Sequence, residues 1–468
     1  MILKASGEEC PLTKGRSYKY TLSMYCGDGL KFIISCFTIL TISITTTLIL
    51  QILYADGSPQ DKASIHGAVA TDYTNCSQIG SKILRKGGNA VDAAVAATIC
   101  MTVVAPHKTG LGGGGYIMIY NHKEQSEPII VDFANNTITD EIRIPAVLKG
   151  LEHAHKLKGK LPWNEIVKPS VSLAKEGFVV SKELASEISK NINYEILYGH
   201  INAGDILKLH DLSDLLNAVA LEGTNVLYNG SFSQKLLHDK VKLLKLLPQL
   251  VNYKPDVYIA KKSTLENLKI STDNTSIVET DIEVAKTLIN SVSIPLQIKQ
   301  HVKEERYTGV VAMDWEDTYV CIITGLSTPF GLGHMSSVGF LLDKANTNNN
   351  LSTLVPIIFH NEKALCGLRG VFGTDDILII GQLLYNIIVR QLNISEAVEH
   401  PRYYFSSDGF VIENDPKHSI DALIRSQLNL IVQLETDSIL KSVNVIIKRK
   451  DLMSSHSDSR GGGLASRF

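Results

Sequence analysis

Residues 32–53 read FIISCFTILTISITTTLILQIL, 22 consecutive positions without a charged side chain. At ~1.5 Å per residue, a helix of this length crosses the ~30 Å hydrocarbon layer of a bilayer. A core helix rarely stays uncharged for so long. The apolar part of a cleavable signal peptide is about half this length and lies closer to the N-terminus. The run therefore predicts a transmembrane signal-anchor over 32–53. Lys4, Lys14, Arg16, Lys19 and Lys31 precede it, whereas Ala55-Asp56-Gly57-Ser58-Pro59 follows. The positive-inside rule then places the leader 1–31 in the cytoplasm and everything beyond about residue 54 outside. The expectation is a single-pass type II membrane protein with an extracellular or lumenal C-terminal body, joined to its anchor by a polar stalk at 54–66.

Features of the body agree with a secretory route. Asn-x-Ser/Thr sequons fall at Asn75, Asn135, Asn229, Asn274, Asn350 and Asn393, all beyond the anchor. Four of the seven cysteines (Cys76, Cys100, Cys321, Cys366) lie on the side where disulfides persist. The chain has 468 residues, 44% hydrophobic and 20% charged, with a net charge of −2. Lysines and arginines are scattered, so no basic stripe offers a surface to nucleic acid.

From Gly67 the pattern becomes regular. Helical periodicity from Cys76 to Lys86 stops at Gly87-Gly88, and Asn89 restarts a helix with Asp92 in capping-box spacing. The stretch Ala90–Ala97 is small and apolar on nearly every face, the mark of a helix buried on several sides. Cys76 and Cys100 stand at nearly equal distances from the glycine turn, which predicts a disulfide across an antiparallel helix pair. The glycine run Gly110–Gly115 follows a helix and enters a strand, the reverse of a phosphate loop, so close backbone approach is expected there. Strands at 116–120 and 129–133 read as a hairpin, and 145–300 reads as mostly helical. Strands then fall at 310–313, 319–324 and 355–359, a helix at 375–392, and strands at 409–413 and 443–447. A helical half (67–305) followed by a strand-rich half (306–468) suggests a layered α/β body.

Several motifs resemble the gamma-glutamyltransferases, or glutathione hydrolases. They are Leu84–Ala97, Pro106–Gly115, Gly159-Lys-Leu-Pro-Trp163, Ala174-Lys-Glu-Gly-Phe178, Ala397–Arg402 and Asp458-Ser-Arg460. The resemblance implies a four-layer αββα sandwich of the N-terminal-nucleophile hydrolase type. In that family a precursor cuts itself before a threonine, which then attacks the gamma-glutamyl bond of glutathione. It implies neither cofactor nor metal.

The departures concern the chemistry. Tyr307 stands at the nucleophile position, and a phenol oxygen is held too far from the backbone carbonyl to take the threonine's part in self-cleavage. Thr308 is the remaining hydroxyl, but one step along an extended strand turns a side chain to the opposite face. Ala134 occupies the position of the arginine that would pair with the substrate carboxylate, and Ala345 that of an acidic residue that would hold the ammonium. Ser352 and Thr353 keep two hydroxyls of the binding segment. The paired glycines of the oxyanion hole align with Phe372-Gly373, where the phenylalanine is expected to crowd the site. Residues 133–145 and 294–306 abbreviate longer family segments.

These features lead to an anchored, catalytically impaired member that binds a gamma-glutamyl or peptide ligand or a protein partner. The alternative is an active glutathione hydrolase or gamma-glutamyl transferase that uses Thr308.

Overall fold

The computed structural model describes residues 31–47, 49, 66–134, 142–238, 247–260, 306–344, 356–361, 364–374, 377–406, 409–413 and 442–468. They fall into two compact units, Met1–Ser64 and Ile65–Phe468. In the first, residues 31–47 are helical. Hydroxyls of Thr38, Thr41, Thr45, Thr46 and Thr47 donate to carbonyls three or four residues earlier, at 2.6 to 3.0 Å. Among the described residues no helix is long and apolar enough to cross a membrane. The remainder of the uncharged run, past residue 49, lies outside the described residues.

The second unit is built on two antiparallel sheets. Its strands are β1 (Ala68–Ala70), β2 (Gly114–Asn121), β3 (Ile129–Asp132), the short pair β4 (Phe178–Val179) and β5 (Ile206–Leu207), and β6 (Asp256–Ile259). They continue with β7 (Arg306–Met313), β8 (Thr318–Leu326), β9 (Ile357–His360), β10 (Arg369–Gly373), the hairpin β11 (Tyr403–Ser406) and β12 (Gly409–Ile412), β13 (Asn444–Arg449), β14 (Leu452–Ser457) and β15 (Ser466–Arg467). The larger sheet has the order β15-β1-β7-β8-β2-β3-β6, and the smaller β14-β13-β10-β9. The larger sheet thus takes strands from both sides of residue 305, so the helical and strand-rich halves form one body. Sequence patterning missed β1, β6 and β15 of the larger sheet, at or beside an edge and only 2–4 residues long, and also β10 and β14 of the smaller sheet.

Strand alternation sorts the core into three layers. Val310 and Ala312 of β7, Ile117 and Ile119 of β2, and Val320 and Ile322 of β8 pack on a helical layer. Their alternates, Val311, Met313, Tyr116, Met118, Cys321 and Ile323, meet Val371 and Ile446 of the smaller sheet. On the far side of that sheet, Phe372 and Val445 pack against α7 (Ile377–Leu384), a π-helical turn at Tyr385–Val389 and α8 (Ile394–Glu399). The result is the expected αββα order.

The first helical layer comprises α1 (Thr74–Arg85), α2 (Ala90–Val104), α3 (Val147–Lys158), α4 (Trp163–Glu176), α5 (Lys182–Ser189) and α6 (His210–Glu222). All 15 residues of α2 are buried, and the capping box of Asn89 and Asp92 forms as its spacing predicts. A buried helix start must satisfy its N–H groups internally. Asp314 Oδ2 accepts from Ala90 N at 2.9 Å, and Asp92 also takes the backbone N–H groups of Lys160 and Leu161. The glycine run makes the close approach foreseen for it. A Cβ on Gly113 would fall 2.2 Å from Gly325 O, and one on Gly115 would fall 2.0 Å from Ile323 O.

The disulfide joins Cys76 of α1 to Cys100 of α2, while Cys321 and Cys366 are free thiols. Closing a loop with a sequence separation of 24 constrains the unfolded chain and stabilises by ~3 kcal/mol. Replacing both cysteines by serine should lower the urea-unfolding free energy by about that amount. An unchanged midpoint would show that the helix pair does not depend on the cross-link.

Candidate active site

The register of β7, β8 and β2 determines what can face the space between the sheets. Tyr307 pairs with Gly325, and Gly325 pairs with Gly114. Residues directly opposite one another in a sheet point to the same side. Tyr307 packs with the intersheet core, so Gly325 and Gly114 share its face. Ala134 belongs to the same core, and its Cα lies 3.1 Å from where a Cβ of Gly114 would stand. Tyr307, Gly325, Gly114 and Ala134 thus form one row across four chain segments. The next row holds Gly309, Ile323, Tyr116 and Asp132. There the sheets touch through backbone, since a Cβ on Gly309 would fall 2.2 Å from the Gly373 carbonyl carbon.

Arg143 and Asp343 close the end of the row near Ala134. Both are fully buried, with Nη1 3.6 Å from Asp343 Oδ2. Burial raises the Asp343 carboxyl above its ordinary range, opposed by Arg143 and by hydrogen bonds from Ser327. Ser327 donates its hydroxyl to Oδ1 at 2.6 Å and its backbone N–H at 3.0 Å.

Thr308 lies on the other face. Its Oγ1 donates to Asp72 Oδ2 at 2.8 Å and is directed toward the helical layer. Asp72 Oδ1 accepts from Ser442 Oγ and Asn444 Nδ2, both at 2.8 Å. Lys108 Nζ lies 3.7 Å from Asp72 Oδ2 and 2.9 Å from Glu183 Oε2. Burial alone would raise Glu183, but the His107 ring and the Lys108 ammonium outweigh it and hold the carboxyl well below its ordinary range. Burial likewise pushes the neighbouring Tyr73 hydroxyl up to about 12. A cleft of ≈ 680 Å³ opens beside this cluster, lined by Asp72, Tyr73, Ser181, Glu183 and Arg460 among others. Thr308 is 2% exposed and does not line it.

Of the residues singled out in the sequence, Tyr307, Ala134 and Gly373 converge between the sheets. Phe372 does not, and the expectation that it crowds the site is corrected. It is one step along β10 from Gly373, so its ring turns into the outer core and stacks on Phe359 at 5.0 Å. Ser352, Thr353 and Ala345 lie outside the described residues, as do Asn135, Asn274 and Asn350. Asn75, Asn229 and Asn393 are exposed. Sequence reasoning missed Asp72 and Arg143. Asp72 follows the three-residue β1, too short for a periodic signal, and nothing local to Arg143 indicates burial.

Comparison with known proteins places the fold first. Cephalosporin acylase from Bacillus halodurans superposes with a TM-score of 0.67 at 15% identity, covering 86% of this chain and 96% of that one. The mixed α/β sandwich is therefore the fold of that acylase. The family model described as gamma-glutamyltranspeptidase matches residues 76–138 and 133–243. Glutathione hydrolase 7 of Mus musculus is 33% identical over 230 residues, 43% of this chain and 34% of that protein. Glutathione hydrolase 2 of Arabidopsis thaliana is 34% identical over 242 residues, 46% of this chain and 42% of that protein. Through this N-terminal stretch the chain is similar to the gamma-glutamyltransferase family. It spans about a third of the length of the mouse relative it matches.

The Glu183 ion pair has a measurable consequence. A carboxyl held below its ordinary value of 4.5 stabilises the fold above that pH, and the contribution is lost as pH falls through the depressed value. Glu183→Gln should cost ~2 kcal/mol at pH 7, and the gap to wild type should shrink below about pH 4. Parallel urea titrations that keep a constant gap down to pH 3 would contradict the assignment.

Proposed function

We propose that this protein is a membrane-anchored, gamma-glutamyltransferase-like ectodomain that binds a ligand between its sheets without cutting it. The observation that carries this reading is the placement of the two hydroxyls. The residue facing the intersheet row is the phenol of Tyr307, while the threonine hydroxyl beside it is turned away and committed to Asp72. A hydroxyl nucleophile acts with a base and an oxyanion hole on one side of one substrate. Thr308 has a carboxylate within reach, but its hydroxyl is buried in the helical layer, away from the row. Glutathione hydrolysis and gamma-glutamyl transfer through Thr308 therefore find less support than binding.

The anchor reading draws on the uncharged run and its flanking charges. The threonine hydroxyls at 38–47 that bond back onto their own helix also suit an apolar surrounding, which offers no other partner. The body would then face the lumen or the cell exterior.

Full-length protein from a secretory host should remain one uncut chain and release no glutamate from glutathione above background. Thr308→Ala should change neither result, and Tyr307→Thr should not create activity, because Ala134 still leaves a substrate carboxylate without its arginine. Two fragments split near residue 307, with hydrolysis abolished by Thr308→Ala, would establish the enzymatic alternative.

Orientation is tested separately. Glycosidase should lower the apparent mass of protein from the same host, with the exposed Asn75, Asn229 and Asn393 as acceptors. No change in mass would invert the proposed topology.

A further inference from the structure

Asn75 is the second residue of α1 and is exposed, while Cys76 and Ser77, which complete its Asn-x-Ser sequon, are buried. Cys76 is tied to Cys100 by the disulfide, and Ser77 Oγ accepts the Thr71 backbone N–H at 3.0 Å. An oligosaccharide transferred to this sequon must therefore be attached before α1 closes onto the body. The finished fold then has to accommodate it. The packed helix start holds Asn75 in place, so whatever its side chain carries leaves the surface at one point.

That point is the wall of the ≈ 680 Å³ cleft beside Asp72. The lining combines two kinds of surface. Tyr73, Val104 and Val179 present apolar faces, and Val179 is 59% exposed. Ser181 and Ser459 add hydroxyls. The charges of Glu183 and Arg460 are already matched, Glu183 by Lys108 at 2.9 Å and Arg460 by Asp458 at 3.0 Å, and Lys182 is exposed to water. A small ion therefore gains little in this cleft. A neutral ligand with apolar faces and a rim of hydroxyls fits it better, because each polar group it covers can be given a partner. A sugar ring is such a ligand. Its C–H faces pack on aromatic and aliphatic side chains, and its hydroxyls both donate and accept.

We propose that this cleft seats the core of Asn75's own N-linked glycan, with the first N-acetylglucosamine residues against Tyr73 and Val179. The inference rests on the reading that the body is extracellular or lumenal. Covalent attachment raises the effective concentration of the sugar to the order of millimolar, so weak contacts suffice to hold it. The seated core joins α1, the segment from β4 to α5 and the turn at 459–462, which are far apart in sequence.

Full-length protein from a secretory host tests the proposal, with occupancy and release followed at each sequon by glycopeptide mass spectrometry. An endoglycosidase that cuts between the first two sugars is applied to native and to denatured protein. Asn75 should be occupied, and its glycan should be released at least about tenfold more slowly from native protein, since only the unseated fraction is cut. Asn229 and Asn393 do not line the cleft, so glycans there should be released at similar rates in both states. Val179→Asp replaces an apolar wall at an exposed position. It should leave occupancy unchanged and bring native release at Asn75 to within about threefold of the denatured rate. If that variant does not fold, the native-to-denatured ratio at Asn75 against that at Asn393 in wild type decides. An unoccupied Asn75 beside glycans at Asn229 or Asn393 overturns the proposal and leaves the topology standing. So does equal release from native and denatured protein, or slow native release that Val179→Asp does not accelerate. Protein without glycan at any sequon overturns the topology as well.

Discussion

Asp72 joins parts of the chain that are far apart in sequence. It follows the first strand, receives Thr308 from β7, and receives Ser442 and Asn444 from the approach to β13. Asn444 also donates to Gly309 O at 2.8 Å, so one side chain links the larger sheet to the smaller. Burying a carboxylate is unfavourable unless its lone pairs are used, and here both oxygens accept hydrogen bonds. The same requirement makes the cluster demanding, because a register slip in β1 or β7 would leave a buried charge with too few donors. Register in the middle of the larger sheet is thereby held by polar satisfaction as well as by apolar alternation.

That register decides the chemistry. A strand offers two faces, and the fold assigns them opposite roles. One face of β7 packs on helices; the other looks into the space between the sheets. A tyrosine takes the intersheet position and a threonine the helical one, so the two neighbouring hydroxyls lie on opposite sides of the sheet. Gly309 follows the same logic. Its missing side chain is filled by the backbone of Gly373, so a larger residue would have to move the sheets apart.

Much of this arrangement was legible in sequence. The all-buried α2, its capping box, the disulfide and the β2–β3 hairpin have short-range signatures, because each depends on residues a few positions apart. The sandwich order followed from family motifs rather than from periodicity. What was illegible depended on long-range partners. Asp72 is an isolated acid until residues 308, 442 and 444 surround it, and Arg143 is an ordinary surface residue until β2 and Asp343 enclose it. Phe372 was misread for a related reason. Aligning it with a site glycine fixed its place along β10 but not the face it would take, and that face is set by pairing with Ile357 and Val445.

The family match itself divides along this line. It covers residues 76–243, which contain the disulfide pair, the capping box and the helices packed on the larger sheet. The intersheet row takes Gly114 and Ala134 from the matched part and Tyr307 and Gly325 from beyond it, where the sheet contact at Gly309 and Gly373 also lies. Residues that hold the first helical layer must satisfy buried helix ends and close backbone approaches, and few substitutions can do so. Sequence likeness in this chain therefore reports chiefly on the scaffold, and a shared scaffold does not specify a shared reaction. The activity of its relatives bears on this protein only through the row between the sheets, where an arginine and two glycines now stand opposite a tyrosine.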